Sequence, residues 1–273
     1  MAARLFIPWF RLGPWTLQPP FLPWEVTIDP FSAFSLGALG VGLIVASLFA
    51  ERYGRSLDLT LELGIYLIAF SFPTGYLLNG LLYQPERFFY LLRHPSAFGE
   101  VHLGLSMYGG IVGTLLGAWV WKWRTKASIL EIGDSFAFGG PCGWTLARAG
   151  CFVTHDHPGR ESDFFLAVAD FRTGAPPYVA RHDMGLYDMI VLGAIAVTFL
   201  FLGRTRRPAG FYVGLLPLLY APSRFLLDFL RAPASEGGDI RYAGLTPAQY
   251  GSMLLLLSGI AVMQRIGGTG RAT

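Results

Sequence analysis

Apolar residues run through this chain in blocks of membrane-crossing length. A helix needs about 20 residues to span a bilayer core, and seven stretches approach that: 31–50, 58–83, 104–121, 129–150, 186–203, 210–230 and 246–264. The first, FSAFSLGALGVGLIVASLFA, carries no charge. The second and fourth are less regular, because they contain Glu62, Glu131, Asp134 and prolines. The pattern predicts an all-α polytopic membrane protein. It has an N-terminal interfacial arm at 1–30, a seven-helix domain at 31–265 with a sizeable outer loop at 151–185, and a cytoplasmic tail at 266–273. The arm carries Trp9, Trp15 and Trp24 among prolines, and tryptophan favours the head-group level.

Composition narrows the class further. Of 273 residues, 53% are hydrophobic and 14% charged, against about 25% charged in a soluble domain. The net charge of +3 is too small to argue for nucleic acid. Cys142 and Cys151 lie nine residues apart on opposite faces of a helix, so no disulfide is expected. The opening MAARLFIPWF lacks a sustained apolar core, so the first membrane helix is expected to serve as the targeting signal. Positive charge sets the orientation. The short segments after the first, third, fifth and seventh stretches hold Arg52 and Arg55, then Lys122, Arg124 and Lys126, then Arg204, Arg206 and Arg207, then Arg265 and Arg271. The opposite side carries its arginines over longer segments and has no lysine. The N-terminus is therefore placed outside and the C-terminus in the cytoplasm. Paired repeats of the kind that build transporters are not visible.

Two arginines stand inside otherwise apolar stretches: Arg148 in SFAFGGPCGWTLARAGCF and Arg224 in GFYVGLLPLLYAPSRFLLDFL. A guanidinium at membrane depth costs several kcal/mol unless an anion or water meets it, and its pKa above ~12 keeps it charged. In lipid the abundant anion is phosphate. Arg148 opens the run Arg148-Ala149-Gly150-Cys151-Phe152, followed by Thr154, Asp156, Gly159 and Arg160. The glycines let backbone approach a ligand, and arginine grips phosphate bidentately. Snorkelling of Arg148 to the interface is the competing reading. Tyr220, Arg224 and Asp228 recur every four residues and share one helical face with Arg231. A simple Arg224–Asp228 ion pair is the alternative there. Gly109, Gly113 and Gly117 suit close helix packing, leaving Ser106 and Tyr108 as the functional surplus. His155-Asp156-His157 could touch a metal, but no further ligand stands at a telling spacing, and a solvated turn is the plainer reading.

Together these residues resemble the prolipoprotein diacylglyceryl transferases. The family signature reads here as Arg148, Gly150, Cys151, Phe152, Asp156 and Gly159. Residues 182–188, HDMGLYD, resemble its His-Pro-x-x-Leu-Tyr-Glu box, with Tyr187 as the aromatic member. Tyr220, Arg224, Asp228 and Arg231 match its Tyr-x-x-x-Arg helix, and LTPAQYGS at 245–252 looks like the start of its last helix. Departures are Tyr108 where members often have His, Asp156 for Glu, Thr154 for Asn, Pro73 for Arg and Phe34 for Tyr. The resemblance implies a multi-pass inner-membrane enzyme that moves the diacylglyceryl group of phosphatidylglycerol to the lipobox cysteine of preprolipoprotein signal peptides. Glycerol 1-phosphate leaves. It also implies action toward the outer face as a monomer, without metal or soluble cofactor. Arg148 and Arg224 are then the phosphate clamp. Tyr108, Asp156 or His155 is the base, and Tyr220, Asp228, Arg160, Arg231, Gly159 and Tyr187 hold substrate or orient the arginines. The rival reading is a paralogue that keeps the anion site but binds anionic phospholipid without transfer, or serves another acceptor.

Overall fold

The computed structural model describes all residues except 1–6, 9, 21–24, 84, 97–106, 171–178, 237–240 and 270–273. Eight helices carry the described chain: α1 Pro30–Arg52, α2 Leu57–Tyr83, α3 Pro85–Arg93, α4 Met107–Thr125, α5 Ile129–Thr154, α6 Met184–Leu202, α7 Phe211–Leu227 and α8 Pro247–Thr269. Short polar residues start many of them by accepting otherwise unpaired amides. Asp29 Oδ2 accepts from the Ser32 amide, and Ser56 and Ser128 hydroxyls accept from Leu59 and Glu131. Before α8, Thr246 and Gln249 bond each other's amides reciprocally at 3.2 and 2.9 Å, a capping box with Pro247 in the first turn.

Among the described residues, five helices have both the length and the hydropathy to cross a bilayer: α1, α2, α6, α7 with its following turn, and α8. The expectation of seven is thus met in part. α4 and α5 run 19 and 26 residues, but their glycines and charges, with Pro141 in α5, dilute the apolar content. Large side chains along the helices stand open, including Leu36, Ile44, Ile65, Leu115, Leu200 and Leu254, as a lipid-facing surface requires. The sequence did not anticipate α3, nor that the sixth stretch leaves α-helix at Leu227 for a 3₁₀ turn over Asp228–Leu230.

The chain divides into two compact units. Residues 50–133 hold α2, α3 and α4. There α4 lies directly on α2. A Cβ on Gly109 would sit 2.5 Å from the Thr74 carbonyl oxygen, one on Gly117 2.5 Å from that of Tyr66, and one on Gly113 would overlap Phe70. These are the predicted close-packing glycines. Glu62, to which the sequence assigned no role, is ion-paired with Arg124 within this unit.

The other unit holds residues 1–49 and 134–273. Gly139 and Gly143 of α5 press on the α1 backbone at Gly42 and Ala38. Asp134 is fully buried and caps α7 from another helix: its carboxylate accepts from the amides of Gly210, Tyr212 and Val213 at 2.8, 2.8 and 2.9 Å. The segment between α5 and α6 is not irregular, and to this extent the fold is not purely helical. Strands β4 Pro158–Glu161, β5 Val168–Asp170 and β6 Val179–Asp183 join β1 Ile7–Pro8 in one sheet, ordered β1-β5-β6-β4, with β1–β5 parallel and the other pairs antiparallel. The arm thereby becomes part of the loop's sheet. Its second piece is a hairpin of β2 Trp15–Leu17 and β3 Val26–Ile28.

The α2–α4 packing predicts that Gly117→Leu destabilises the protein by about 1–3 kcal/mol through overpacking. Gly110→Ala, where a Cβ meets open space, should be neutral or stabilising by up to about 1 kcal/mol. Thermal unfolding in detergent reads both.

Candidate functional site

The site grows from the ends of three helices within one unit. α5 runs to Thr154, beyond the expected limit of 150, so Arg148 points from its last turns. α6 starts against that end: a Cβ on Gly185 would lie 2.7 Å from the Phe152 amide nitrogen. This brings Asp188 of α6 to Arg148, Oδ2 to Nε 3.3 Å, with the carboxylate 1% exposed and the guanidinium 16%. Among the described residues Asp188 has no conventional hydrogen bond besides this ion pair. Arg148 also donates to the Cys151 sulfur at 3.7 Å.

Asp228 organises the second half. Its Oδ1 pairs with Arg224 Nη1 at 2.7 Å and with Arg231 Nε at 2.9 Å, and its Oδ2 accepts a short bond from the Thr246 hydroxyl. Arg241 donates to its backbone carbonyl at 3.0 Å. The Arg224–Asp228 pair anticipated as an alternative is present, yet one buried carboxylate serves two guanidinium groups. Tyr220, one turn before Arg224, is buried, stacks on Trp144 at 5.5 Å between centroids and lies in the fields of Arg148, Arg224 and Asp188. Three guanidinium groups thus gather with two buried carboxylates, an excess of positive charge that an anion can neutralise.

The segment after α5 is held rigidly. His155 adopts a left-handed backbone, φ 50°. Its Nδ1 meets Asp183 Oδ2 at 2.7 Å and its Nε2 the Phe10 carbonyl at 2.8 Å. Asp183 Oδ1 in turn caps α6 through the Leu186 amide at 2.9 Å. His155, one of the expected bases, is therefore engaged through both ring nitrogens in joining arm, loop and α6. Two residues on, the His157 carbonyl accepts from the Met184 amide at 3.2 Å, and its ring turns toward the arginines. Burial pushes the His157 imidazole below its usual value, Asp156 raises it, and Arg148, Arg231 and Arg224 lower it again. The ring is therefore neutral at pH 7. The ligand atoms of Cys151, Asp156 and His157 lie within 4.8 Å of one another.

The remaining expected residues fall in different places. Gly159 bridges Arg231 as a backbone pair, and a Cβ there would meet the Leu230 carbonyl at 2.6 Å. Arg160 donates to the Arg231 carbonyl at 3.3 Å. Tyr187 is buried with its hydroxyl 2.7 Å from His182 Nδ1. Asp156 is exposed, 3.8 Å from His157. Tyr108 starts α4 in the other unit; its side chain, like Ser106, lies outside the described residues. The sequence alone pointed to neither Asp188, although it closes the HDMGLYD box, nor Thr246, and it offered His157 only as a metal contact or part of a solvated turn.

Apolar helices of spanning length, with an arginine cluster at their ends, define a polytopic membrane protein carrying an arginine-rich site. The model of the prolipoprotein diacylglyceryl transferase family matches residues 21–265. Relatives named phosphatidylglycerol–prolipoprotein diacylglyceryl transferase include one from Chromohalobacter salexigens, 32% identical over 58% of this chain and 59% of the relative. One from Erythrobacter litoralis is 34% identical over 72% and 68%. One from Pseudomonas aeruginosa is 28% identical over 90% and 93%. The chain belongs to the prolipoprotein diacylglyceryl transferase family, and diacylglyceryl transfer is its activity.

Asp228→Ala should destabilise the protein by about 3–5 kcal/mol, since it removes the buried carboxylate that pairs with both Arg224 and Arg231. Thr246→Val should cost about 1 kcal/mol. Denaturation in detergent gives the comparison.

Proposed function

We propose that the Arg148–Arg224–Arg231 cluster carries the family's reaction, taking phosphatidylglycerol as donor and the lipobox cysteine thiol of a preprolipoprotein as acceptor. The observation that supports this most is the sharing of two buried carboxylates, Asp188 and Asp228, among three guanidinium groups. In the reaction the thiolate sulfur attacks the glyceryl carbon and the carbon–oxygen bond to phosphorus breaks. The electron pair stays on the phosphate oxygen of glycerol 1-phosphate. Guanidinium groups already in place stabilise that growing charge without reorganising. Arg148 and Arg224 form the clamp. Arg231 contributes field beside them, while Tyr220, Asp188 and Asp228 orient the arginines. Arg160 and Gly159 shape the backbone at the mouth. Tyr187 acts on the site through His182 rather than by touching lipid.

With α4 and α5 also crossing the bilayer, seven spans place the ends of α5 and α7 and the start of α6 toward the outer face of a bacterial inner membrane. The enzyme acts there as a monomer, with signal peptides and phosphatidylglycerol arriving from the bilayer. Tyr108 is a weak candidate for the base, since a phenol has a pKa near ~10.

The test is a transfer assay with purified protein, labelled phosphatidylglycerol, a lipobox peptide and its Cys→Ser control. Wild type should add one diacylglyceryl group to the Cys peptide alone. Arg148→Ala and Arg224→Ala should each lose at least about 10²–10³-fold in rate while still inserting; near-normal rates would remove the clamp. Tyr108→His should keep or raise activity. No product from protein that still binds the lipid would favour the binding paralogue or another acceptor.

A further inference from the structure

We propose that His157 is the general base of this chain, accepting the proton of the acceptor cysteine. The inference rests on the transferase reading above.

The chemistry requires a base. A thiol with pKa near ~8.5 is mostly protonated at neutral pH, and the thiolate is the nucleophile. Among the described residues near the cluster, the titratable candidates divide clearly. Both nitrogens of His155 are taken by acceptors, Asp183 and the Phe10 carbonyl. His182 is bonded to Tyr187. Asp183 is taken up by His155 and the α6 cap, and Asp188 and Asp228 are ion-paired with arginines. Asp156 is exposed to solvent.

His157 differs from all of these. Its backbone is fixed to the start of α6 by the Met184 amide. Its ring is about a third exposed, so a substrate can reach it, and its nearest ionic contact is Asp156 at 3.8 Å, too long for a hydrogen bond. The groups facing it are Cys151 and Arg148 from α5, Arg224 from α7, Arg231 just after α7, and Asp156 on its own segment. Its ring nitrogen is thus placed close to the clamp proposed for the scissile phosphate.

The step balances. The acceptor S–H proton moves to a His157 ring nitrogen, and the sulfur bonds to the glyceryl carbon. The carbon–oxygen bond breaks toward phosphate, and the imidazolium returns its proton to the leaving phosphate. Asp156 at 3.8 Å steadies the transient imidazolium.

The decisive experiment compares wild type with His157→Gln and His157→Asn in the peptide assay, using a lipobox cysteine peptide and its selenocysteine analogue. The selenol is already ionised at neutral pH and needs no base. With the cysteine peptide at pH 7, both variants should lose about 10²–10⁴-fold in kcat with KM little changed. Their rates should then climb with pH as the thiol itself ionises, whereas wild type plateaus once pH exceeds the depressed value of His157. With the selenocysteine peptide the variants should come within a few-fold of wild type. Variants within threefold of wild type on the cysteine peptide overturn the assignment. An equal loss on both peptides also overturns it, because a structural role affects both. Wild-type protein that binds lipid yet transfers to neither peptide overturns the transferase reading itself, and the base with it.

Discussion

A guanidinium group cannot shed its charge, so every arginine drawn into this molecule requires an anion close by. Asp228 meets that requirement at the end of α7. Fully buried, it binds Arg224 one turn before it, Arg231 one turn after it and the hydroxyl of Thr246 at the start of α8. The carboxylate thereby joins two helices as it neutralises charge. Gln249 completes the junction by capping back onto Thr246 and donating to the Phe225 carbonyl at 3.1 Å. Asp188 plays the same part for Arg148 with fewer bonds. That arginine is the more exposed of the two ion-paired partners and the better able to turn toward an incoming phosphate.

Around this charge arrangement the backbone is tied at points where no side chain could be accommodated. Gly159 presses against the Leu230 carbonyl and His182, so strand β4 lies flat on the chain leaving α7. His155 turns the chain sharply out of α5 and anchors it to Phe10 and Asp183. The N-terminal arm is thereby engaged on the same loop. Leu12 donates to the Val153 carbonyl at 3.1 Å, Ile7 to that of Ala167 at 3.0 Å, and Phe10 packs edge-on against Phe152. A loop held on three sides fixes what it carries, and it carries His157.

The apolar blocks read directly from the sequence because a bilayer imposes one period and one length, and helix boundaries moved by only a few residues. The Arg224–Asp228–Arg231 pairing was equally legible, since its partners lie one helical turn apart. Asp188 was not: its partner Arg148 is forty residues away, and only the packing of α6 on the end of α5 brings them together. Nor could sequence separate His155 from His157. They flank one aspartate, and the left-handed turn at His155 decides which ring faces Asp183 and which faces the arginines. The sheet escaped because its strands are two to five residues long, too short to show an alternating pattern.

A histidine beside three arginines looks at first like a poor base, because the burial and the positive field that lower its pKa also weaken its hold on a proton. The same field, however, acts on the acceptor thiol. Cations destabilise the imidazolium and stabilise the thiolate, so both pKa values move downward together. The gap between them, about 2 units or nearly 3 kcal/mol for unperturbed groups, is then largely preserved while more of each partner is held in its reactive form. In the proposed clamp the arginines also face the phosphate oxygen on which the leaving charge grows. In the proposed mechanism one cluster of positive charge therefore adds to burial in keeping the base unprotonated, favours the nucleophile and receives the leaving group.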